Sequence, residues 1–478
     1  MEKQEYKDLI TQACRQSFFH FVKTFWHTFI NETPVWNWHI EYLCKELQTV
    51  GEAVKDRRAC EFDYFIINIP PGTSKSSIIS VLYPLWCWTI DPSQRFICGS
   101  YSATIAEDLG DKAVKVFTSE LYKSLFPEVG IRSDAKSRLE NGHNAERYAV
   151  STGSTATGLH ASQIILDDPI NAQEATSDAE RDTANKWITR TISTRKTDKK
   201  VTPVILVMQR LHEDDPTGYL LSKSLRIKHI CLPAELPELE HNNILPIELR
   251  ENYIDGLLDP IRLDRETLSK AREELGSFSF DGQMLQRPVD AKGGLFLREW
   301  FEIIEDDFKK RKIDFQLDTA YTEKSTNDPS GILAYYEENN NLYIKNWISK
   351  RLEFPQLCKF IKDHVNNHGY SPSSMIRIEP KASGKSLVQQ LRSETSLNIK
   401  ESENPDKDKV TRAVNIQAKV EAGRVKLIRG HWNQAFLDEV CGFPKMKHDE
   451  AVDCLVEATR NTLLIKKSQN LAKYLAGR

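Results

Sequence analysis

From Tyr64 onward the chain alternates short apolar runs with helical stretches: Tyr64–Ile69, Arg95–Tyr101, Gln163–Asp167 and Val201–Met208. Runs that are apolar almost throughout, rather than at alternate positions, fit strands buried on both faces, as in a parallel sheet covered by helices. Upstream, residues 5–31 place apolar side chains at Leu9, Ile10, Ala13, Phe18, Phe21 and Phe25, and His39–Val54 comes next as a second helical run. From about Leu232 to Gly294 the rhythm breaks into PAELPELE, LPIEL and RPVDAKGG, the composition of a connecting subdomain. Beyond it, Lys312–Ala320, Gly331–Glu338 and Asn341–Ile348 are expected as successive strands, the last two joined by a short Asn-rich turn and therefore antiparallel. Helices over 354–368, 407–422 and 448–464, with strands Met375–Glu379 and Arg424–Ile428, complete a second α/β unit. The predicted divisions are 1–60 (a helical segment packing on the first α/β core), 61–230 (that core), 231–294 (linker or lid), 295–465 (the second α/β core) and 466–478 (tail).

A length of 478 residues exceeds one ordinary core, and 40% hydrophobic with 28% charged residues describes a soluble globular chain. No apolar run reaches the roughly 18 residues of a membrane span. The opening MEKQEYKD lacks the order of a signal peptide, so a cytoplasmic protein with no membrane association is expected. Nine cysteines without CxxC pairs or zinc-type His/Cys spacing predict reduced thiols. The net charge of −3 requires any nucleic-acid contact to come from local basic patches, such as Lys309-Lys310-Arg311-Lys312 or Arg195-Lys196 with Lys199-Lys200.

The first strand runs into Pro70-Pro71-Gly72-Thr73-Ser74-Lys75-Ser76-Ser77 and then a helix. Strand, tight small-residue loop and helix form the context of a phosphate-binding loop, because N–H groups at a helix start point at the anion. Pro71 to Ser77 would cradle the phosphates of ATP, Lys75 would reach the terminal ones, and Ser76 would bind Mg²⁺. The glycine positions of the strict pattern hold Ile69 and Ser74. Strand Gln163–Asp167 ends in two carboxylates at the edge where ligands of parallel sheets bind. Asp167 is expected to hold Mg²⁺ through water and Asp168 to orient the attacking water. A third strand ends in Gln209-Arg210-Leu211-His212-Glu213-Asp214-Asp215, with Arg210 a candidate sensor of the γ-phosphate.

In the second half, Asp318 and Glu379 stand at strand ends, and Lys447-His448-Asp449-Glu450-Ala-Val-Asp453 opens a helix. Asp449 and Asp453, four apart, share a helix face. Such acids would converge in an RNase H-like sheet on two Mg²⁺ or Mn²⁺ ions about 4 Å apart. Oxygen ligands without His or Cys suit those metals rather than zinc. Asp318, Glu379 and Asp449 are the expected essential acids, with Asp453 an outer ligand. Lys381, Lys385 and Lys447 are candidates to neutralise the DNA backbone.

The ordered set PPGTSKS, GSYS, TGSTATG, LDDP and QRLHEDD, followed by DTAYTEKSTNDPSG and KHDEAVD, resembles the large subunits of bacteriophage terminases over about residues 30–465. That resemblance implies an N-terminal P-loop ATPase of the ASCE type joined to a C-terminal RNase H-like nuclease. Such a protein packages double-stranded DNA and cuts it, working as a ring on the portal protein with a small terminase subunit, in the host cytoplasm and docked on the procapsid. It implies further that WNWHIEYL lies near the adenine, and that Arg147, before the TGSTATG loop, acts in trans on a neighbour's ATP. The alternative is another DNA-translocating ATPase or helicase with an appended nuclease, but no second phosphate loop follows Gly294.

Overall fold

The computed structural model describes residues 2–154, 156, 158–236, 243–288, 294–307, 309–319, 329–379, 382–403, 408–446 and 448–464. The chain forms two compact units: residues 1–270 with 279–289, and residues 271–278 with 290–478. The predicted tail, 466–478, lies outside the described residues.

The first unit holds strands β1 (Tyr64–Asn68), β2 (Phe96–Ser100), β3 (Ile131–Ala135), β4 (Arg138–Asn141), β5 (Glu146–Ser151), β6 (Gln163–Asp167), β7 (Val204–Met208) and β8 (Ile227–Cys231). They lie in the order β3-β4-β5-β2-β6-β7-β1-β8. Pairing is parallel from β5 to β8, and β3 and β4 add an antiparallel edge. Every residue of β1, β2, β6 and β7 is buried, as their apolar runs require. With β7 inserted between β1 and β6, the order β8-β1-β7-β6-β2 is that of an ASCE-type P-loop sheet. The exposed strand β3 and the mixed strand β8 lack continuous apolar runs, so hydropathy alone does not mark them.

The single helix expected over 5–31 is divided into Glu2–Gln16 and Phe18–Phe25. Ser17 is extended (φ −141°, ψ 114°), and its hydroxyl accepts from the His20 N–H, capping the second helix. Phe18 then packs on Tyr83 and Trp86 of the helix Tyr83–Ile90. The stretch 231–294 divides between the units. Its first part is tied into the first unit by backbone pairing: the Leu232 N–H donates to the Asn68 carbonyl at 2.8 Å.

The second unit contains β9 (Glu302–Ile304), β10 (Asp314–Asp318), β11 (Ser330–Glu338), β12 (Asn341–Lys350), β13 (Ile376–Ile378), β14 (Ile399–Glu401) and β15 (Val425–Ile428). Their order is β14-β13-β10-β11-β12-β15-β9. The turn between β11 and β12 places Asn339 (φ 51°) and Asn340 (φ 60°) in the left-handed region, as tight hairpins demand. β10 pairs antiparallel with β11 and parallel with β13. This is the mixed, RNase H-like arrangement, with the helix Glu450–Thr459 buried along its whole length.

Gly110, in the helix Ala103–Phe117, sits where a Cβ would collide with the backbone carbonyl of Lys136 in the β3–β4 turn. In an open helix, Gly→Ala gains up to about 1 kcal/mol. Here the sign is expected to reverse: Gly110→Ala should lower stability by about 1–3 kcal/mol, read as a lower urea or thermal midpoint.

Candidate active sites

In the first unit, parallel pairing brings the C-terminal ends of β1, β6 and β7 to one edge. The loop after β1 turns through Gly72 (φ 78°) and Ser74 (φ 66°), both left-handed. The Thr73 hydroxyl is buried and donates to the Pro70 carbonyl at 2.8 Å, closing the loop on itself. Pro71 and Gly72 lie on its outer side, and Lys75 and Ser76 enter the helix that continues as Ser77–Leu82.

The Lys75 ammonium, almost fully buried, rests 3.1 Å from Asp168. Asp167 is equally enclosed. One of its oxygens accepts from the Ser76 hydroxyl at 3.0 Å and the other from the Ser80 hydroxyl at 2.6 Å. Burial, then the neighbouring Asp168 charge, push the Asp167 carboxyl up to about 6, against the opposing pull of Lys75 and the two hydroxyls. Asp168 itself is left-handed (φ 42°), an uncommon conformation for a non-glycine residue. It is held there by its N–H donating to Val207, and by the Tyr101 N–H donating to its carbonyl. Its carboxylate also accepts from the Gln209 N–H at 3.2 Å, so the end of β7 touches the site.

Two residues singled out in the sequence, Arg210 and Arg147, stand otherwise. Arg210 turns away from the phosphate loop into its own segment, with Nε 2.9 Å from fully buried Asp215 and Nη2 directed at the His212 and Glu213 carbonyls. Asp215 also accepts from the Leu211 and Gly218 N–H groups, so the ion pair shapes the 210–218 turn rather than reading a phosphate. Arg147 is fully buried: β5 pairs it with Phe96, and its Nη2 donates to the Ser80 carbonyl at 2.9 Å. A side chain enclosed behind the Ser77–Leu82 helix is not presented to a neighbouring subunit, so the trans-acting role is withdrawn. Trp38, in the WNWH segment, packs on Tyr42 and Tyr253.

Sequence reading missed Arg262. Its Nη1 donates to the Ser74 hydroxyl at 2.9 Å, its Nε to buried Asp259 at 2.6 Å, and its Nη2 lies 3.5 Å from His39 Nε2. That histidine also stands 3.4 Å from the Thr73 carbonyl. Burial and then the Arg262 charge pull His39 down to about 4, so it is neutral at pH 7.

In the second unit Asp318 ends β10 and Glu379 comes directly after β13, and the register Leu317↔Ile378 sets the two carboxylates side by side. The helix Glu450–Thr459 contributes Asp453. Carboxylate oxygens of Asp318, Glu379 and Asp453 all lie within 4.8 Å of one another, and all three residues are buried. Enclosed hard-oxygen donors at that spacing fit a divalent cation such as Mg²⁺ or Mn²⁺. Asp449 is not part of this triad. It occupies the cap position of the helix, is about a third exposed, and makes no capping hydrogen bond. The geometry therefore reverses the expected order, placing Asp453 inside and Asp449 at the rim.

Two cations that sequence reading missed face these acids from the helix Lys409–Glu421. Lys409 Nζ lies 2.6 Å from Asp449 and 2.7 Å from Asp453, and Arg412 Nη2 lies 2.9 Å from Asp453. Burial lowers the Lys409 pKa, but Asp453 and Asp449 outweigh it and raise it above the ordinary value, keeping the ammonium charged. Lys385 is exposed, whereas Lys381, Lys447 and most of DTAYTEKSTNDPSG (320–328) lie outside the described residues.

The burial of Arg147 sets an expectation. Arg147→Ala should lower the unfolding midpoint of the first unit by several degrees, and mixing it with Lys75→Ala protein should restore no ATP turnover. Recovery of turnover in the mixture would return Arg147 to a role between subunits.

Residues 317–464 match the family model described as the terminase RNaseH-like domain. No curated protein matches the chain. Among solved structures, the large terminase of a thermophilic bacteriophage in complex with ADP is similar at 12% identity, covering 88% of this chain and 99% of that one, with a TM-score of 0.47. The HK97 bacteriophage large terminase aligns at 15% identity over 93% of this chain and 98% of that one (TM-score 0.38). The large terminase nuclease from thermophilic phage G20c aligns at 14% identity over 35% of this chain and 96% of that one (TM-score 0.26). Residues 317–464 of the second unit thus carry a domain of the terminase RNaseH-like family.

Proposed function

We propose that the chain is the large subunit of a phage terminase, an ATP-hydrolysing motor that drives viral double-stranded DNA into a procapsid and a metal-dependent endonuclease that cuts the concatemer. One observation carries the reading: a single chain holds both a phosphate loop facing Asp167 and Asp168, and a buried carboxylate triad within the matched RNaseH-like domain. The partners implied are DNA, a portal protein, a small terminase subunit and further copies of the chain in a ring. The setting is the host cytoplasm at the procapsid. No helix among the described residues is long and apolar enough to cross a membrane.

The geometry supports a simple sequence of contacts for the proposed ATPase. Before nucleotide arrives, Lys75 neutralises Asp168. A γ-phosphate draws the ammonium to itself, and the Asp168 carboxylate is released to accept a hydrogen bond from the attacking water. Ser76 and Asp167, already hydrogen-bonded to each other, would hold Mg²⁺ beside the phosphates. Gln209, bonded to Asp168 through its N–H, carries the change to the end of β7. In the nuclease, Asp318, Glu379 and Asp453 would hold Mg²⁺ or Mn²⁺, which when bound supplies a polarised water and charge neutralisation at the scissile phosphate. Lys385, which is exposed, would meet DNA phosphate without reading sequence.

Two assays on the purified chain test this reading. Lys75→Ala should reduce DNA-stimulated ATP hydrolysis about 100-fold or more and leave Mn²⁺-dependent nicking of plasmid intact. Asp318→Asn, Glu379→Gln and Asp453→Asn should show the reverse pattern, with Asp449→Asn losing less cleavage than Asp453→Asn. Unchanged cleavage in Asp453→Asn would remove the nuclease assignment, and unchanged turnover in Lys75→Ala would remove the phosphate loop.

A further inference from the structure

We propose that the segments entering β8, β1, β7, β6 and β2, at the end of the first sheet opposite the phosphate loop, form a docking ridge that holds duplex DNA through its phosphates. The inference rests on the terminase reading, which supplies DNA as the polyanion, and it gives that DNA a place on the ATPase unit away from the nucleotide.

These five strands are neighbours and parallel, so the segments 221–226, 55–63, 195–203, 159–162 and 90–95 lie side by side in that order. Backbone bonds join each to the next. The Asp63 N–H donates to the Arg226 carbonyl at 2.7 Å, Cys60 to Lys200 at 2.9 Å, Thr197 to Ala161 at 2.9 Å, and Ser162 to Arg95 at 2.8 Å. Side chains strengthen the joints: Lys196 Nζ donates to the Asp63 carbonyl at 3.3 Å, and Arg226 Nη1 to the Cys60 carbonyl at 3.2 Å. The segments thus make one continuous surface.

Its charge is opposite to that of the chain. These segments hold ten lysines and arginines against five acids, Asp56, Glu61, Asp63, Asp91 and Asp198, whereas the whole chain carries −3. Among the described residues two of the ten are ion-paired, Arg58 with Asp56 at 3.5 Å and Arg226 with Asp63 at 2.9 Å. Asp198 is turned onto its own segment, accepting from the Lys200 N–H at 2.8 Å, and Asp91 accepts from the Ser93 hydroxyl at 2.7 Å. Lys55, Arg57, Lys199 and Lys200 are exposed. Cations that the chain itself leaves uncompensated, gathered on one surface, attract a polyanion.

The surface suits nucleic acid better than protein. Protein interfaces gather apolar and aromatic side chains at their centre. Of the large apolar side chains in these segments, Leu221 and Leu225 are exposed, and both precede β8 at the outer end of the ridge. Length fits as well. Strands lie about 4.8 Å apart, so five of them span about 19 Å. Duplex DNA carries about one charge per 1.7 Å of its axis, on the order of eleven over that length, of which the near side can meet the ridge. The phosphate loop lies at the other end of the same strands, about 17 Å away for strands of this length, so DNA on the ridge leaves the nucleotide edge open. Contacts to phosphate carry no sequence information, as movement along DNA requires.

Salt dependence tests the ridge. Binding of the full chain to a labelled duplex of about 30 base pairs is followed by fluorescence anisotropy between about 50 and 300 mM KCl, with EDTA present to prevent cutting. One variant combines Arg57→Asn, Lys199→Gln and Lys200→Gln, asparagine being able to adopt the left-handed conformation of Arg57 (φ 52°). It should bind about 10- to 100-fold more weakly near 100 mM KCl, and the slope of log K against log salt should fall by about 2–3, on two unrelated sequences alike. Its basal ATP hydrolysis and unfolding midpoint should match those of the parent chain. A control combining Lys45→Gln, Lys115→Gln and Lys270→Gln removes the same net charge from lysines already ion-paired along their own helices, and should keep the parent slope. Equal losses in the two variants would overturn the ridge in favour of net charge alone. An unchanged slope in the ridge variant would overturn it in favour of an acidic protein face and leave the terminase reading standing. Failure of the parent chain to bind the duplex, with or without a non-hydrolysable ATP analogue, would overturn both.

Discussion

A carboxylate taken out of water needs a cation or several donors beside it, and both units are assembled around that requirement. In the first, Asp167 is enclosed at the end of β6 and draws the Ser76 and Ser80 hydroxyls onto its two oxygens. Those serines are four apart, so this one interaction fixes the rotation of the helix that leaves the phosphate loop. Once it is fixed, Lys75 falls on Asp168. In the second unit Asp453 is enclosed on its helix and draws in Lys409 and Arg412, three apart on another. Removing one partner of such a buried pair typically costs about 3–5 kcal/mol. The placement of the candidate site groups and the stability of the fold therefore depend on the same contacts.

Parallel pairing supplies the positions that those contacts occupy. Because β1, β7 and β6 run in one direction and in register, the loop after β1, Gln209 after β7 and Asp168 after β6 emerge together. The same holds for β10 and β13, where the Leu317↔Ile378 register puts Asp318 and Glu379 next to each other. The antiparallel partner β11 sends its chain the other way and contributes none of the three acids. A change of register by one residue would point Asp318 to the opposite face of its sheet, so the triad is as specific as the strand pairing.

The parts legible in the sequence are those in which chemistry and element coincide. A phosphate loop between an apolar strand and a helix, or a carboxylate closing an apolar strand, can be read locally: Lys75 and Ser76 follow β1 at the start of a helix, and Asp167, Asp168, Asp318 and Glu379 lie at or just past strand ends. The direction of Arg147 could not be read locally, because a strand residue's surroundings depend on what covers the sheet. β5 lies inside the sheet, next to β2, and its arginine is enclosed. Asp449 and Asp453 share a face in any helix of that register, and only the packed helix shows that the second turns inward while the first stays at the rim. Arg210 looked like a sensor because it stands just past a strand at the right edge, yet Asp215, five residues on, captures it locally. The cations were invisible for a different reason. Lys409, Arg412 and Arg262 belong to segments without motifs and reach their partners only through the tertiary fold, Arg262 bonding to Ser74 across a separation of 188 residues.

Arg262 also accounts for the serine at the second glycine position of the phosphate loop. Ser74 adopts the left-handed conformation (φ 66°) that a glycine enters freely and that costs another residue roughly 1–2 kcal/mol. A serine gains something that glycine cannot, a hydroxyl. Here it accepts from the Arg262 guanidinium, which is clamped from behind by buried Asp259 at 2.6 Å. A hydrogen bond to a charged donor contributes about 1.5–3 kcal/mol, enough to offset the strain. His39, neutral and enclosed between Arg262 and the Thr73 carbonyl, completes the brace without adding charge. The loop is thus held in phosphate-binding shape from outside rather than by its own conformational freedom. A glycine at position 74 would lose the hydroxyl contact and leave only the link through His39, so the serine adds a second tie between the phosphate loop and the 259–262 segment.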